Sequence, residues 1–335
     1  MTKRSYFTKA IAAGAALLLL TSCASGAGDK EADAGSGERT LRLAHFMEPS
    51  HPHETCGMTE LNTQLEGSGL KVETYPSSQL GGQTEALEQV YTGNLDMSIN
   101  GSAFVGTYHE DFNVFGLGYL FKGPEEMMAF YETEKFTSVL EEVYESSGMR
   151  VFPGWYYGTR HVTSNRPVST PADLKGLKLR VPDAPAFIET LKAMGATPTP
   201  MALDELYMGL QQRTVDAQEN PTPVIDTMKL YEVQDNLTLT GHMVDGLHIV
   251  VAGKVWESLT EEQQAALSNA IAVAGDAAME CVIEQEDAYI EEFRAGDDIA
   301  VNEIDTTEFA SLVQEHFSKG FPFSDLYTEI LESQK

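Results

Sequence analysis

The sequence predicts an α/β fold with two lobes, and three observations support this. Short apolar strands alternate with helices along the chain, beginning with the strand Leu41–Phe46 (LRLAHF). About 300 residues follow position 40 and 42% of the chain is hydrophobic, which is ample for more than one lobe. A capping box at Thr260-Glu261-Glu262-Gln263 begins a helical pattern that continues to about Ala295. A helix of that length spans roughly 50 Å, so we expect it to cross both lobes.

The remaining elements alternate in the manner of an open α/β sheet. Thr170-Pro-Ala-Asp173 combines a capping Thr, a first-turn Pro and an acid three residues after the cap, which predicts a short helix. The other predicted strands are Val72–Tyr75, Leu95–Ile99, Arg150–Tyr157, Leu177–Val181, 197–201 and Thr214–Gln218. The other predicted helices run to about Glu66 and over 81–91, 125–147, 184–194 and 203–212.

The first 22 residues are interpreted as a lipoprotein signal peptide. Three cations precede Ala10–Leu20, an apolar run far shorter than the roughly 20 residues that cross a bilayer. Leu20-Thr-Ser-Cys23 resembles a bacterial lipobox, which would place a lipid anchor on Cys23; an ordinary signal peptide with a chance cysteine is the alternative. Residues 23–39 then lack any large apolar residue and are expected to form a flexible tether.

Charge and cysteine content restrict the partners. The chain has 51 acidic and 22 basic side chains and a net charge of −29, which argues against nucleic acid and anionic membrane surfaces as partners. Cys56 and Cys281 share an oxidising compartment and can pair. Cys281 also continues the apolar stripe of the long helix, so a buried free thiol is the simpler interpretation, and pairing stays open.

Enzyme signatures are absent from the sequence, which has no GxSxG, GxxxxGK[ST], CxxC or HExxH motif. No cofactor is predicted. A metal site remains an alternative, because His45, His51 and His53 lie in one short run with two glutamates. Histidines at spacing two do not share a helical face, which weakens that alternative.

Arginines near strand ends give the stronger signal. Ligands of open α/β sheets bind outside the carboxyl ends of the strands, and Arg180 ends the strand Leu177–Val181. Arg160 follows the turn Tyr157-Gly158, and Asn220 lies just past the strand Thr214–Gln218. The planar fork of arginine matches a carboxylate with two parallel hydrogen bonds. From these positions alone, a structural ion pair with one of the many acids is equally open.

Several linked motifs resemble one family. They are Gly158-Thr-Arg160-His-Val-Thr-Ser-Asn165, Thr170–Pro182 (TPADLKGLKLRVP), Gly195–Met201 (GATPTPM), Glu205-Leu-Tyr207, Val215–Pro221 (VDAQENP), Tyr231-Glu-Val233 and, upstream, Tyr75–Gly81 (YPSSQLG). In this order they resemble the extracytoplasmic solute receptors of tripartite ATP-independent (TRAP) transporters, the DctP type. The resemblance covers nearly the whole chain after the tether.

The resemblance implies a periplasmic-binding-protein-like fold with two lobes, a hinge and a long helix spanning both. It assigns residues 40–158 plus about 245–280 to lobe I, and 159–244 plus about 281–335 to lobe II. It further implies that Arg180 is the principal carboxylate clamp, Arg160 a second cation and Asn220 an amide partner.

Other expected ligand-binding positions depart from the sialic-acid-binding branch of that family. Phe46, Gly101, Leu203 and Gln83 replace residues that the branch uses to bind a hydroxyl-rich sugar acid. The further candidates are Asn100, beside Gly101, and the possible apolar walls Trp155 and Tyr156. These differences predict a ligand smaller or more apolar than sialic acid.

The resemblance therefore predicts a receptor, not an enzyme, that captures a small organic acid and delivers it to the integral membrane subunits of a TRAP transporter. It would be held outside the cytoplasm by a lipid on Cys23. The alternatives are an ABC-type binding lipoprotein and a metal-capturing lipoprotein.

Overall fold

The computed structural model describes residues 38–334 and confirms the α/β class. The predicted signal peptide, Cys23 and all but the last two residues of the predicted tether lie outside the described residues. Within residues 38–334 ten strands form one mixed sheet. They are β1 Arg39–Ala44, β2 Leu70–Tyr75, β3 Met97–Gly101, β4 Arg150–Val151, β5 Trp155–Ser164, β6 Lys178–Val181, β7 Thr197–Pro200, β8 Ala217–Pro221, β9 Asn236–Val251 and β10 Ala300–Asn302.

Helices cover this sheet. They are α1 Thr59–Gln64, α2 Gln83–Thr92, α3 Ser102–Val105, α4 Pro124–Tyr131, α5 Glu134–Ser147, α6 Pro171–Leu174, α7 Pro185–Ala193, α8 Leu206–Gln211, α9 Thr222–Thr227, α10 Gly253–Glu257, α11 Glu261–Ala295, α12 Thr307–Phe317 and α13 Ser324–Ser333. A π-helix, His53–Met58, precedes α1, and short 3₁₀ segments cover Glu110–Gly116 and Leu230–Glu232.

The sheet joins two parallel groups of strands through an antiparallel centre. Its order is β2-β1-β3-β9-β5-β8-β6-β7. Strand β1 is parallel to β2 and β3, and β6 is parallel to β7 and β8. The long strands β9 and β5 pair antiparallel with each other between these groups. The two groups run in opposite directions, and β3 pairs with the carboxyl-terminal part of β9 whereas β5 pairs mainly with the preceding part. Because of this stagger, residues at the carboxyl ends of β3, β6 and β8 line one region.

Three predicted boundaries are wrong for local reasons. The helix predicted at 125–147 is two helices, because the Thr133 hydroxyl caps α5 by accepting from the Phe136 N–H at 3.2 Å. The strand predicted at 150–157 divides around Pro153-Gly154, and its second part continues to Ser164. The last predicted strand lies at Ala217–Pro221, so Asn220 is within β8 rather than after it.

The long helix is confirmed, with its capping box at Thr260 and Gln263. It contacts α1, which lies between β1 and β2, and α9, which follows β8, as well as β5 and β10, so it packs beside both halves of the sheet. By length and composition α11 is also apolar enough to cross a membrane. Its apolar residues, such as Leu267 and Ile271, are nevertheless buried in the body, which is typical of a core helix.

A disulfide joins α11 to the π-helix. Cys56 and Cys281 are bonded, with their Cα atoms 6.6 Å apart. The simpler expectation of a buried free thiol is therefore wrong. The reason is that Cys281 is only partly buried, at the edge of the α11 stripe, where it faces the π-helix across the chain.

Removing this disulfide should destabilise the protein. The bond closes a segment of 225 residues, and a crosslink over a long segment restricts the unfolded chain. The double variant Cys56→Ala/Cys281→Ala should lose about 2–5 kcal/mol of unfolding free energy. Urea titrations of the oxidised wild type, the reduced wild type and the variant measure this. Equal midpoints for all three would contradict it.

A buried carboxylate on α11 holds the middle of β5. Glu286 accepts from the Thr159 N–H at 2.6 Å and from the Tyr156 hydroxyl at 2.5 Å. The adjacent Gly158 has φ +132°, and a Cβ there would lie 2.6 Å from Pro221 Cβ. Only glycine therefore fits where β5 passes between α11 and β8.

Glu286 should make stability depend on pH. Burial raises its pKa from 4.5 to about 7, against the hydrogen bonds from Tyr156 and Thr159. Because the folded state favours the protonated acid, the unfolding free energy should fall as pH rises from 4.5 to about 7. Glu286→Gln should remove a penalty on the order of 3 kcal/mol above pH 7 and flatten this dependence. Denaturation of the wild type and of Glu286→Gln at pH 5 and pH 8 measures the effect, with exposed Glu284→Gln as control. Parallel pH curves for the two proteins would refute it.

Candidate functional site

Two adjacent cavities lie where the carboxyl ends of the parallel strands face each other. The outer cavity has a volume of about 470 Å³ and the inner cavity one of about 20 Å³. Six residues line both, namely Phe46, Gln83, Phe104, Arg180, Pro182 and Leu203. Of these, Phe46 follows β1, Gln83 begins α2, and Arg180 is on β6. Both parallel groups of strands thus contribute to one site.

Seven of the ten predicted ligand-binding residues line the inner cavity. They are Phe46, Gln83, Gly101, Arg160, Arg180, Leu203 and Asn220. Their contact with a ligand stays a prediction. The structure adds residues that the sequence analysis missed: Tyr157, Asp245, Phe104, Phe187, Pro182 and Leu247.

Trp155, Tyr156 and Asn100, the other three predicted ligand-binding residues, line neither cavity. The Trp155 indole packs against Gly57 and donates to the carbonyl of Ile271 at 2.9 Å. Tyr156 points the other way from the cavity, toward Glu286 on α11.

Asn100 is buried in β3, and its side chain bonds within the protein. It accepts from the Ser98 hydroxyl at 2.6 Å and donates to the carbonyl of Gln83 at 2.8 Å. It therefore positions Gln83 instead of facing the cavity. Gln83 accepts from the Gly101 N–H at 3.1 Å.

Arg180 is a buried cation that forms no ion pair within residues 38–334. Its side chain is almost fully buried, and among residues 38–334 it forms no salt bridge. Its Nε donates to the carbonyl of Met201 at 2.8 Å, while Nη1 is buried without a hydrogen-bond partner in the described chain. Burial lowers the pKa of Arg180 to about 10, with nearby Glu219 opposing and Arg160 reinforcing that shift. The guanidinium is still charged at neutral pH and lacks an anion.

Arg160 has the opposite environment. Its Nε donates to Glu219 Oε2 at 2.5 Å and its Nη1 to Asp245 Oδ2 at 2.9 Å. Its Nη2 donates to Glu219 and to the Asn220 side-chain oxygen at 3.0 Å, and Cζ lies 5.0 Å from the centre of the Phe187 ring. Burial works against the charge of Arg160, but the two carboxylates outweigh it and raise its pKa.

These contacts correct the expected setting of Arg160. It lies inside the continuous strand β5, not beside a turn, and pairs with Met243 of β9 and Pro221 of β8. A guanidinium has five N–H groups, and the protein leaves at most one of those on Arg160, on Nη1. Its charge is neutralised by the protein, so it is a weaker candidate for a ligand carboxylate than Arg180.

Asn220 and Glu219 belong to the same buried network. The Asn220 amide donates to Gln218 at 2.6 Å, which leaves one N–H for another acceptor. Glu219 Oε2 also lies 3.2 Å from His242 Nε2. Burial raises the pKa of Glu219, but the charge of Arg160 and the hydrogen bond from His242 outweigh it, so the pKa is lowered.

The histidine run is not arranged as a metal site. Among the described residues, one group has ligand atoms close enough to share a cation, and it is the exposed-to-intermediate set His109, Asp111 and Glu142. His45 bonds to Glu54 at 2.8 Å, and His53 to the carbonyl of Tyr156 at 2.9 Å. The fold uses these imidazoles for packing and hydrogen bonding.

An α/β fold with a ligand-sized cavity between two groups of parallel strands is typical of solute-binding receptors. Comparison with known proteins agrees. Residues 45–321 match the family model of DctP, bacterial extracellular solute-binding protein, family 7. The chain belongs to this family, whose members are extracytoplasmic receptors for transport rather than enzymes.

Individual relatives support the assignment. The sialic acid-binding periplasmic protein SiaP of Vibrio cholerae is 35% identical over 232 residues, 69% of this chain and 72% of its own. The 2,3-diketo-L-gulonate-binding periplasmic protein YiaO of Escherichia coli is 33% identical over 258 residues, 76% of this chain and 78% of its own.

Solved structures give the same result. A TRAP periplasmic solute-binding protein of Actinobacillus succinogenes, with bound L-galactonate, superposes with a TM-score of 0.83 at 29% identity, covering 89% of this chain and 100% of its own. Another from Polaromonas, bound to D-erythronate, gives a TM-score of 0.82 at 27% identity, covering 88% and 98%.

The two buried arginines should respond differently to replacement in the absence of ligand. Arg160→Met leaves Glu219 and Asp245 buried without their cation, and should cost about 3–5 kcal/mol of unfolding free energy. Arg180→Met removes a buried charge that has no anion, so the ligand-free protein should be as stable as wild type or more stable. Thermal unfolding of both variants measures this. Equal destabilisation by Arg160→Met and Arg180→Met would contradict the conclusion that the protein neutralises Arg160 and not Arg180.

Proposed function

We propose that this protein is the ligand-capturing receptor of a TRAP transporter, and that it binds a small organic acid through a carboxylate clamp on Arg180. The observation that carries this is the buried guanidinium of Arg180, which faces the cavity and has no counter-ion among residues 38–334. A buried charge without a partner is costly. An anionic ligand removes that cost by supplying two parallel hydrogen bonds.

The ligands named for the relatives share this chemical group. Sialic acid, 2,3-diketo-L-gulonate, L-galactonate and D-erythronate differ in size and hydroxylation, but each has a carboxylate. In this chain the outer cavity, about 470 Å³, is within the range of small-molecule sites. Phe46, Phe104 and Leu203 give it apolar walls, which favours an acid less hydroxylated than sialic acid.

Binding is proposed to close two lobes, residues 40–158 plus about 245–280 and residues 159–244 plus about 281–335. Their strand connections meet at Gly158, where β5 shifts register against β9 between Tyr156 and Gly158. A glycine with φ +132° at this crossing suits a hinge. Ligand contacts from both lobes would favour the closed state, which the integral membrane subunits would recognise.

The N-terminal sequence is proposed to direct export and to anchor the receptor. Lys3, Arg4 and the apolar run Ala10–Leu20 favour export, and the Leu20–Cys23 sequence favours a lipid on Cys23. The receptor would then be lipid-anchored outside the cytoplasm of a bacterium, with residues 24–39 as the tether.

Loss of the Arg180 guanidinium should abolish binding. Arg180→Ala should weaken the binding of D-erythronate or L-galactonate by at least about 100-fold, because the carboxylate would be buried without a cation. Arg180→Lys should also fail by at least about 10-fold, since an ammonium cannot form the two parallel bonds. Isothermal titration calorimetry measures both.

Arg294→Ala is the matched control. Arg294 lies on α11, is exposed, and contacts neither cavity. Its variant should bind as wild type does. Wild-type affinity in Arg180→Ala would refute the clamp, and so would a failure of every carboxylate in the panel to bind the wild type.

A further inference from the structure

The inner cavity contains three unpartnered polar atoms, not one. Besides Nη1 of Arg180, the hydroxyl of Tyr157 and Oδ1 of Asp245 are buried without a hydrogen-bond partner among residues 38–334. All three residues line the same cavity of about 20 Å³ and are at most 2% exposed. Buried polar groups in folded proteins are almost always hydrogen-bonded. Three unsatisfied atoms around one small space therefore indicate a ligand group that bonds to them.

The chemistry of the three atoms specifies that group. Arg180 offers donors only and requires an anion. Burial raises the pKa of Asp245 to about 6, against the charge of Arg160, so the carboxyl is ionised at neutral pH and its Oδ1 accepts, while Oδ2 receives a hydrogen bond from Arg160 at 2.9 Å. Burial raises the pKa of the Tyr157 hydroxyl, so it is protonated and can donate one hydrogen bond. The cavity therefore needs a carboxylate beside a group that donates once and accepts once.

The volume sets the size of the second group. A space of about 20 Å³ holds about one water-sized group. Because Arg180 lines both cavities, a carboxylate on it would leave the ligand's adjacent substituent in the inner cavity and the rest of its chain in the outer one.

We propose that this receptor selects 2-hydroxy acids, with the carboxylate on Arg180 and the 2-hydroxyl donating to Asp245 Oδ1 and accepting from Tyr157. The proposal rests on the proposed function and names the class of acid. A hydroxyl donates one hydrogen bond and can also accept, so it satisfies both groups at once.

The other substituents fit less well. A 2-amino group is an ammonium with three N–H groups, whereas the unpartnered buried side-chain acceptors that line this cavity, among residues 38–334, are Asp245 Oδ1 and the Tyr157 oxygen. A 2-oxo group has no donor and would place its oxygen against a carboxylate oxygen. A 2-deoxy acid leaves Asp245 and Tyr157 unsatisfied, and an unsatisfied buried group is penalised.

Matched ligands test this directly. Malate, aspartate, oxaloacetate and succinate share one skeleton and differ only at C2, as do 2-hydroxyisovalerate, valine, 2-oxoisovalerate and isovalerate; D-erythronate and L-galactonate complete the panel. Calorimetry on the wild type, with both enantiomers of each 2-hydroxy acid, should show the 2-hydroxy member binding about 10- to 100-fold more tightly than its 2-deoxy counterpart.

Two variants test the residues. Tyr157→Phe removes only a hydroxyl that has no hydrogen-bond partner in the described part of the chain. Its thermal midpoint should therefore be unchanged, while the ratio of 2-hydroxy to 2-deoxy affinity should fall at least about threefold. Asp245→Asn keeps the shape of the side chain and an acceptor for Arg160. In this variant the affinities of matched 2-hydroxy and 2-deoxy acids should lie within about threefold of each other. Tyr131→Phe is the matched control, because the Tyr131 hydroxyl is also buried without a partner in the described chain but lies outside both cavities. It should bind as wild type does.

The outcomes separate the two proposals. Carboxylates that bind through Arg180 with no advantage for the 2-hydroxyl overturn the 2-hydroxy-acid assignment and leave the receptor function intact. Tightest binding of a 2-amino or 2-oxo member overturns it as well, and so does a 2-hydroxyl advantage that survives in both Tyr157→Phe and Asp245→Asn. If no carboxylate binds at millimolar concentration, the proposed function itself fails.

Discussion

Two arginines are buried within one small region, and the protein neutralises only one of them. Arg160 is surrounded by Glu219, Asp245 and Asn220, whereas Arg180 bonds to a single carbonyl oxygen, that of Met201. Among residues 38–334, two carboxylates pair directly with the first guanidinium, whereas the second has no ion pair, although nearby Glu219 favours its charge. This asymmetry gives the site its chemistry, because an anion gains most at the cation that has none.

The topology of the sheet produces this asymmetry. Strands β5 and β9 pair antiparallel in the centre, and that pairing sets Asp245 opposite Gly158, two residues from Arg160, where the Arg160 side chain reaches it. Strand β8 adds Glu219 and Asn220 from the other edge of β5. Arg180 enters from β6, which does not pair with β9, so it lines the cavity without joining that network. Glu286 on α11 holds β5 around Gly158, where this strand passes between α11 and β8.

The sequence predicts this site in part. Arg180 was predictable because a short strand ends beside it, and the long helix because its capping box is local. Strand β9 was not predicted, since the buried polar residues Thr238, His242, Asp245 and His248 interrupt the apolar pattern of this strand. Without β9, neither Asp245 nor the partners of Arg160 could be found. Strict alternation along β5 from Arg160 places Tyr156 on the cavity side, but the register shift between Tyr156 and Gly158 brings Tyr157 there instead. The Cys56–Cys281 bond could not be predicted, because it depends on how the fold brings together two residues 225 positions apart.

The most direct measurement of the central claim is the side-chain NMR signal of the arginines, assigned with Arg180→Lys and Arg160→Lys. Nitrogen-15 spectra would be recorded with and without saturating D-erythronate. The Nη signals of Arg180 should shift and separate as the guanidinium becomes fixed by a carboxylate, while those of Arg160, already held by Glu219 and Asp245, should be separate before ligand is added and change little. A large change at Arg160 with none at Arg180 would contradict the account.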